Sequence, residues 1–456
     1  MVVFWFHRLH LTLKIRFLIT IIASFVSLQL LSLGNLSYLY GTQFRSSERI
    51  HNLNVLYVDY DGGVIGRSVM DAYRLLGGNS FPSIQPSLPE EYPTPMDVKE
   101  AVCDGDYWGA VYAVPGASDD LAAALVNGQR APDTLGYVWN GARYPAFAQS
   151  AVYANIIALI QATRSMYYAN NASSVVKLDD LEFPVLLDPI HATEINIKPT
   201  MQGSRVLYNT ASIVLPVIMQ FFFAMALNAI SEEFKIFTTF SWVSNVLIRL
   251  SASITFTLVG SLCMTGYIWG FKESWNVNAN QFVLSWIILW LFMHINSLVF
   301  DTLSAFVPIK FMPFCVLTWA IMNISSTVSP LELSPAFYRL GYALPAYEAY
   351  QVLGQIWSDG CNNQLHRALP ILFAWWVVGI VTAIYGIFYR CEKARSAEQR
   401  RPTHEHERPT TQTGSTDQIL PRGTLESIRL ERRYMALVIL LCLKTIMNDR
   451  RPGLVR

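Results

Sequence analysis

Charged residues are scarce in this chain, and that scarcity is the first clue to its class. They make up 15% of the 456 residues, whereas a soluble domain carries roughly 25%. Because hydrophobic residues account for 52%, the shortfall indicates membrane segments rather than disorder. The formal net charge is only +1, so no global positive field argues for a nucleic-acid partner.

Several catalytic and cofactor signatures are also missing from the sequence. No Gly-x-x-x-x-Gly-Lys-Ser/Thr loop occurs, so the chain does not bind ATP through a P-loop. The His and Cys residues show no metal-ligand spacing, and no Gly-x-Ser-x-Gly element is present. We therefore expect a protein that is not an enzyme and that holds no cofactor or metal.

Six apolar stretches are present, and a large polar insert separates the first from the second. A helix needs roughly 20 apolar residues to cross a bilayer, and lipid leaves backbone polar groups without partners unless the segment is helical. The expected fold class is a polytopic α-helical membrane protein with six transmembrane helices and an extracytoplasmic α/β domain between helices 1 and 2. The predicted transmembrane segments are 17–40, 206–230, 250–271, 282–307, 312–329 and 369–389.

Basic residues flank both ends of this membrane region. Positive flanks stay cytoplasmic, so the N-terminus (1–16) and the tail (390–456) are both predicted to be cytoplasmic, the tail mostly disordered. The first stretch could be a signal peptide. Its apolar core, Phe17 to Leu33, is longer than a typical signal core and no clean cleavage site follows. A retained anchor is favoured, and the plasma membrane is the expected location.

The insert, residues 41–205, has an α/β pattern. Strand-like runs at 54–59 and 107–114 are each followed by a turn and a helix-period run. A third helix is predicted over 145–168, and the repetition favours a small open sheet with helices on it. The proline-rich stretch 82–95 is predicted to be a loop. The glycines of 61–66 permit a phosphate loop at a helix start, but a structural turn is the better interpretation because no Gly-Lys-Ser/Thr follows.

Two features of the extracytoplasmic side concern covalent chemistry. Cys103 and Cys361 are the cysteines predicted to lie in extracytoplasmic loops, where they either form a disulfide or remain two separate thiols. Asn171 begins an Asn-Ala-Ser tripeptide and is a candidate glycosylation site.

Polar residues inside the apolar stretches are candidates for a substrate path, because their burial in lipid is costly. The alternative is that they form hydrogen bonds between helices. Asp301 is ionisable and lies seven residues after His294, so the two share a helix face. Either the two form a proton relay, or Asp301 lies near the cytoplasmic interface and contacts water or Lys310. The candidates are Gln220, Asn228, His294, Asn296, Asp301 and Asn323.

Two further stretches are predicted to lie along the membrane rather than cross it. Residues 231–249 begin with Ser-Glu-Glu, typical of a helix start, and continue with aromatic residues, which favours a cytoplasmic interfacial helix. Residues 331–357 are aromatic and interrupted by charges and Pro345. They are predicted to form a re-entrant or interfacial hairpin of two short helices.

Taken in order, several motifs resemble those of a known family. They are Asp61-Gly62-Gly63-x-x-Gly66, the run from Gly105 to Ala110, Gln220-Phe221-Phe222-Phe223, and the runs from Trp319 to Ser325 and from Ser329 to Pro345. Over about residues 17–393 the sequence resembles the fungal nitrosoguanidine-resistance proteins of the DUF3533 family. In layout it also resembles an ABC-2 type permease half.

The resemblance implies a transporter or efflux permease for amphipathic small molecules that confers resistance to toxic compounds. It implies a homodimer in the lipid bilayer, with either a separate ATPase or a lipid-translocating machine as partner. The alternative is a non-transporting scaffold or regulator of lipid distribution or of another transporter. No established catalytic residue is carried over from the family.

Overall fold

A computed structural model describes residues 11–127, 133–175, 188–201 and 203–400. Its helices and strands, in chain order, are α1 (Leu11–Thr42), β1 (Asn54–Asp59), α2 (Val64–Leu76), β2 (Ser83–Ser87), α3 (Pro95–Asp104), β3 (Gly109–Ala113), α4 (Ala117–Asn127), β4 (Asp133–Trp139), α5 (Ala154–Val175), β5 (His191–Asn196), α6 (Ala211–Glu233), α7 (Trp242–Gly270), α8 (Ala279–Phe306), α9 (Met312–Ser325), α10 (Pro345–Trp357) and α11 (Leu365–Gln399).

In the described residues, six helices are long and apolar enough to cross a membrane. Five of them, α1, α6, α7, α8 and α11, coincide with predicted transmembrane segments. The outer faces of these helices expose large apolar side chains, as expected where lipid takes the place of water. The chain is a multi-pass membrane protein.

The sixth predicted transmembrane segment, 312–329, forms a shorter helix than expected. Its helix, α9, has only 14 residues, a length of about 21 Å at 1.5 Å per residue. It stops where polar side chains begin to bond the backbone, as Ser326 does by donating to the carbonyl of Asn323 at 2.6 Å. The other helix that is long and apolar enough to cross a membrane, Pro145–Asn170, contains most of α5 and packs against α2 of the α/β domain.

The α/β domain is built on a five-stranded sheet of order β2-β1-β3-β4-β5. Only the β3–β4 pair is antiparallel. One face carries α2, α4 and α5 around a core that includes Val55, Val69 and Leu121. The other face carries α3 and buries a smaller cluster around Leu56 and Val98. The predicted strand–turn–helix units at 54–76 and 107–126 correspond to β1–α2 and β3–α4.

The loop predicted over 82–95 is confirmed for residues 88–94. The rest of the stretch contains β2 and the first residue of α3. Proline is tolerated in both because β2 is an edge strand and Pro95 occupies the first turn of α3. Thr94 and Asp97 form a capping box at that helix start.

The Gly-rich segment 61–66 is a structural turn, and four of its backbone N–H groups donate to side chains of this chain. The Asp59 carboxylate accepts from the N–H of Gly62 at 2.9 Å. Asp61 accepts from the N–H of Ser118 at 2.8 Å, and the Ser118 hydroxyl in turn accepts from Ile65. Side chains of this chain thus bind N–H groups at the starts of both α2 and α4, which supports a structural turn over a phosphate loop.

The α/β domain is fixed to the membrane helices by covalent and aromatic contacts. A disulfide joins Cys103 at the end of α3 to Cys361 beyond α10. Beside it, the rings of Tyr144 and Tyr350 lie 4.9 Å apart. Arg143 lies 3.9 Å over the ring of Trp108, and burial lowers the pKa of its guanidinium. The disulfide and the Tyr144–Tyr350 contact hold α10 against the α/β domain, whereas the Arg143–Trp108 contact lies within that domain.

Two predicted membrane-surface stretches are resolved into shorter pieces. The stretch 231–249 is not one interfacial helix: α6 runs to Glu233, a single helical turn spans Ile236–Thr239, and α7 begins at Trp242. The stretch 331–357 contains 3-10 turns followed by α10, with Pro345 as the first residue of α10. Because α10 is almost wholly buried between other elements, protein covers it on most sides.

Two remaining predictions concern parts of the chain described incompletely or not at all. Asn171 lies in α5, a helix and not a surface loop, and its side chain falls outside the described residues. Most of the predicted disordered tail, from residue 401 onward, also lies outside them.

Replacing Cys103 by Ser should destabilise the fold, because the disulfide restrains two parts of the chain separated by 258 residues. We expect the free energy of unfolding to fall by about 2–4 kcal/mol, measured by thermal unfolding in detergent without reductant. Cys315→Ser is the control, since Cys315 is a free, partly buried cysteine in α9. Equal stability of the two variants would contradict a structural role for the disulfide.

Candidate functional site

Four membrane helices bring polar side chains together at the end of the helices opposite the α/β domain, here called the distal end. The helices α6 and α8 both begin near that domain, and Asn228 and Asp301 lie close to their far ends. Helix α7 runs the other way and carries Arg249 in its second turn from the distal end. Arg390 lies in α11, just beyond the apolar part of that helix.

These side chains form one hydrogen-bonded group, the charge cluster, centred on the Asp301 carboxylate. Asp301 Oδ1 accepts from Nη2 of Arg249 in a close contact and from Nη2 of Arg390 at 2.8 Å. Asn228 Oδ1 accepts from Arg249 at 2.7 Å and from Arg390 at 2.8 Å. Two hydroxyls complete the cluster: Ser231 accepts from Arg249 at 3.0 Å and Ser304 from Arg390 at 3.3 Å.

The charge cluster is buried but not electrically balanced. Two guanidinium groups face a single carboxylate, which leaves a net charge of +1. The side chains of Arg249, Arg390 and Asp301 are only 2%, 11% and 15% exposed. Among the described residues neither arginine pairs with another carboxylate, and the Nε atoms of both lack a hydrogen-bond partner. An uncompensated buried charge is costly, so the arrangement favours a further anion.

A cavity lies against the charge cluster, between α6, α7, α8 and α11. Apolar side chains form most of its wall, while Arg249, Asp301 and a Ser253–Ser297 hydrogen bond of 2.7 Å supply its polar part. The volume of the cavity is about 20 Å³, which leaves room for about one water molecule. The apolar lining consists of Phe223, Ala224, Leu227, Val246, Leu250, Leu298, Ile380, Ala383, Ile384 and Ile387.

A short connection closes the cluster on its remaining side. Phe237, in the helical turn between α6 and α7, lies 5.7 Å from each guanidinium carbon, a cation–π distance. The connection is held by Asn245, whose side-chain amide donates to the carbonyls of Ile236 and Ser241, both at 3.1 Å. Phe237 therefore covers both arginines at once.

The structure shows neither the contact with His294 nor the contact with Lys310 that was considered for Asp301. His294 lies away from it, stacked on Trp290 and accepting a hydrogen bond from Trp376 at 2.9 Å. No hydrogen bond between His294 and Asp301 occurs among the described residues, so the two do not form a direct relay. Lys310 is no partner either, since its amine lies over the ring of Phe311. Arg249 of α7 and Arg390 of α11 donate hydrogen bonds to the Asp301 carboxylate instead.

The other candidate residues fall into two groups. Asn296 accepts from the indole of Trp319 at 2.7 Å, and Asn323 accepts from the backbone of Ala346 at 3.2 Å. Both therefore bond between elements rather than line the cavity. Gln220 is fully buried in α6, and neither side-chain polar atom has a partner in the described part of the chain.

Sequence reasoning overlooked the two arginines. Arg249 is the last residue of the stretch 231–249 that is predicted as an interfacial helix, and Arg390 is the first residue of the tail that is predicted to be cytoplasmic. The available signal was position: each arginine adjoins a run of apolar residues long enough to span. Only packing shows that both guanidiniums turn toward the same carboxylate.

Comparison with known proteins decides the family. The model of a family described as "Protein of unknown function (DUF3533)" matches residues 24–381. The chain belongs to the DUF3533 family. Asn228, Arg249 and Asp301 fall inside the matched region, whereas Arg390 lies beyond it.

One curated relative of this DUF3533 protein is described as an uncharacterized endoplasmic reticulum membrane protein of Saccharomyces cerevisiae. It is 21% identical over 325 residues, which cover 64% of this chain and 61% of the relative. The chain thus spans about three fifths of the curated relative's length. No solved structure matches this DUF3533 protein.

Removing the Asp301 carboxylate should be the most damaging single change in the charge cluster. Asp301→Asn leaves two adjacent guanidiniums without a counter-ion, so we expect the free energy of unfolding to fall by about 3–5 kcal/mol. Arg390→Gln should cost less, because it leaves one cation facing one carboxylate. Thermal unfolding of the purified protein in detergent measures both.

The control for this comparison is Glu392→Gln, which breaks the exposed pair of Glu392 with Arg395 at 3.9 Å. An exposed pair contributes about 1 kcal/mol or less. If Asp301→Asn were no more destabilising than Glu392→Gln, the charge cluster would not be a stabilising element.

Proposed function

We propose that this protein is a membrane permease for amphipathic compounds, with the cavity beside the charge cluster as its substrate site. The observation that carries the proposal is the cavity itself: an apolar lining between four membrane helices, with a cationic group at one end. In the described structure the cavity has room for about one water molecule, so on this proposal a substrate enters only when the four helices move apart. It would then place its apolar body along the lining and its polar end at the arginines.

The finer features of the proposal come from the resemblance to nitrosoguanidine-resistance proteins and ABC-2 permeases. On this view the protein exports toxic compounds, works as a homodimer, and draws energy from an ion gradient or from an ATPase on a separate chain. The absence of a P-loop motif from the sequence supports a separate source of energy. No catalytic residue, bound cofactor or nucleic-acid partner is part of the proposal.

We also propose that the α/β domain is extracytoplasmic and the distal end cytoplasmic. The Cys103–Cys361 disulfide supports this orientation, since disulfides persist in oxidising compartments. Basic residues around both chain ends of the membrane region support it independently. The plasma-membrane location stays a prediction, and the name of the yeast relative favours the endoplasmic reticulum as the alternative.

A second candidate function is that of a scaffold or regulator of lipid distribution or of another transporter. It is favoured by the hydrogen bonds that Arg249 of α7 and Arg390 of α11 donate to Asp301 of α8. Such bonds also suit a rigid body that never opens. On this view partner proteins co-purify, and resistance does not need the cavity.

The permease is tested by filling its cavity. Ala383 is 4% exposed and lines the cavity, whereas Val381 on the same helix is 61% exposed. We expect Ala383→Trp to abolish the expression-dependent efflux of radiolabelled nitrosoguanidine and of a fluorescent phospholipid from cells. Val381→Trp should leave efflux unchanged, because the added ring faces outward.

Two control measurements accompany the efflux assay. Protein abundance and thermal unfolding of both variants show whether Ala383→Trp still folds, and a smaller change to Leu serves if it does not. Efflux that survives a filled cavity in folded protein would contradict the permease. Resistance without any efflux difference would favour the regulator.

A further inference from the structure

The charge cluster has a property that transport does not require. The guanidiniums of Arg249 and Arg390 face the single carboxylate of Asp301, so the cluster keeps one positive charge. We propose that a halide ion, chloride in a cell, binds beside Arg249 in the adjoining cavity and balances this charge. The inference concerns the cavity of the proposed permease but holds whether or not the protein transports anything.

The first argument is the size of the cavity. Its volume of about 20 Å³ leaves room for about one water molecule. A monatomic halide ion is close to a water molecule in size, whereas a phosphate group or an organic carboxylate is much larger. Chloride is therefore the common anion that fits the cavity best.

The second argument is the charge balance, which favours an anion over water. The side chains of Arg249 and Arg390 are 2% and 11% exposed, and in the described part of the chain both pair with the same carboxylate and with no other. Burial of an uncompensated charge is far more costly than burial of a polar group. A water molecule would leave the excess charge in place, whereas one halide ion brings the group to neutrality.

The third argument is the set of hydrogen-bond donors along the cavity. Arg249 lines it, and the Nε–H of this arginine has no acceptor among the described residues. Ser253 and Ser297 also line it, with their hydroxyl oxygens 2.7 Å apart. One hydroxyl proton lies between the two oxygens, so the other hydroxyl still has a proton to donate. A guanidinium N–H and a hydroxyl together solvate a halide ion much as water does.

The carboxylate of Asp301 also lines the cavity, and the position of the serines shows where an anion can avoid it. Ser297 precedes Asp301 by four residues on α8, and Ser253 follows Arg249 by four residues on α7. Each serine thus lies one helical turn from its charged neighbour on the same helix face. Asp301 Oδ1 is itself bound by both guanidiniums. We therefore place the halide at the serine end of the cavity.

The test is thermal unfolding of the full-length protein in detergent, with sodium chloride exchanged for sodium gluconate at constant ionic strength. A ligand that binds only the folded protein raises Tm, and gluconate is too large for the cavity. We expect Tm to be about 2–4 °C higher in saturating chloride than in gluconate. The rise should level off as chloride is increased, as a single site requires, and bromide should act as chloride does.

Arg390→Gln tests the charge argument. It removes the excess positive charge without changing a residue that lines the cavity, so the difference in Tm between chloride and gluconate should disappear. Arg395→Gln is the matched control, because Arg395 lies on the same helix and is 40% exposed in a pair with Glu392. This variant should keep the full chloride effect.

A second pair of variants tests the placement in the cavity, and it decides the matter if Arg390→Gln does not fold. Ala383→Leu adds an isopropyl group to a side chain that lines the cavity and changes no charge. The chloride effect should disappear because the space is filled. Val381→Leu is the control, since Val381 lies on the same helix with 61% of its surface exposed, and it should keep the effect.

Three results would overturn the proposal. Equal Tm of the unchanged protein in chloride and gluconate would assign the cavity to a water molecule. A chloride effect of the same size in the unchanged protein and in the folded Arg390→Gln and Ala383→Leu variants would indicate a general salt effect. Loss of the effect in only one of these two folded variants would contradict either the charge balance or the placement in the cavity.

This test and the efflux assay fail separately. Chloride-dependent stability without expression-dependent efflux would retain the halide site and remove the permease. Efflux that is blocked by Ala383→Trp, combined with equal stability in chloride and gluconate, would retain the permease and remove the halide.

Discussion

Hydrocarbon cannot solvate an ion, and this constraint organises the membrane part of the protein. Each of four helices contributes to one polar group: Asn228 from α6, Arg249 from α7, Asp301 from α8 and Arg390 from α11. Burying any of the three charged side chains without a partner would be costly. The helices are therefore joined at the distal end by charge, while at the opposite end a disulfide and packed aromatic rings join them to the α/β domain.

Much of the fold could be predicted because hydrophobic length and period are local properties. Runs such as 282–307 identify a spanning helix without knowledge of its neighbours, and the strands at 54–59 and 109–113 precede clear turn and helix signals. The edge strand β2 was overlooked because its Pro86 resembles a loop residue until the sheet order shows that the strand lies at the edge. The apolar helix Pro145–Asn170 shows that composition alone does not separate a core helix from a spanning one.

The site could be predicted only in part, because its chemistry is set between helices. Asn228 and Asp301 were among the candidates since they are polar residues inside apolar runs. Their partners Arg249 and Arg390 are 141 positions apart in the sequence and each adjoins the end of an apolar run, where basic residues are common for topological reasons. Whether an arginine reaches Asp301 depends on the rotation of its helix and on the depth of its side chain in the membrane. A local sequence pattern encodes neither.

The central claim is that one charge cluster joins four membrane helices at the distal end. A high-resolution cryo-electron microscopy map of the protein in lipid nanodiscs tests it most directly. The account predicts that the guanidiniums of Arg249 and Arg390 both lie within hydrogen-bond distance of the Asp301 carboxylate and of Asn228. A map in which either arginine turns away from Asp301 would contradict it.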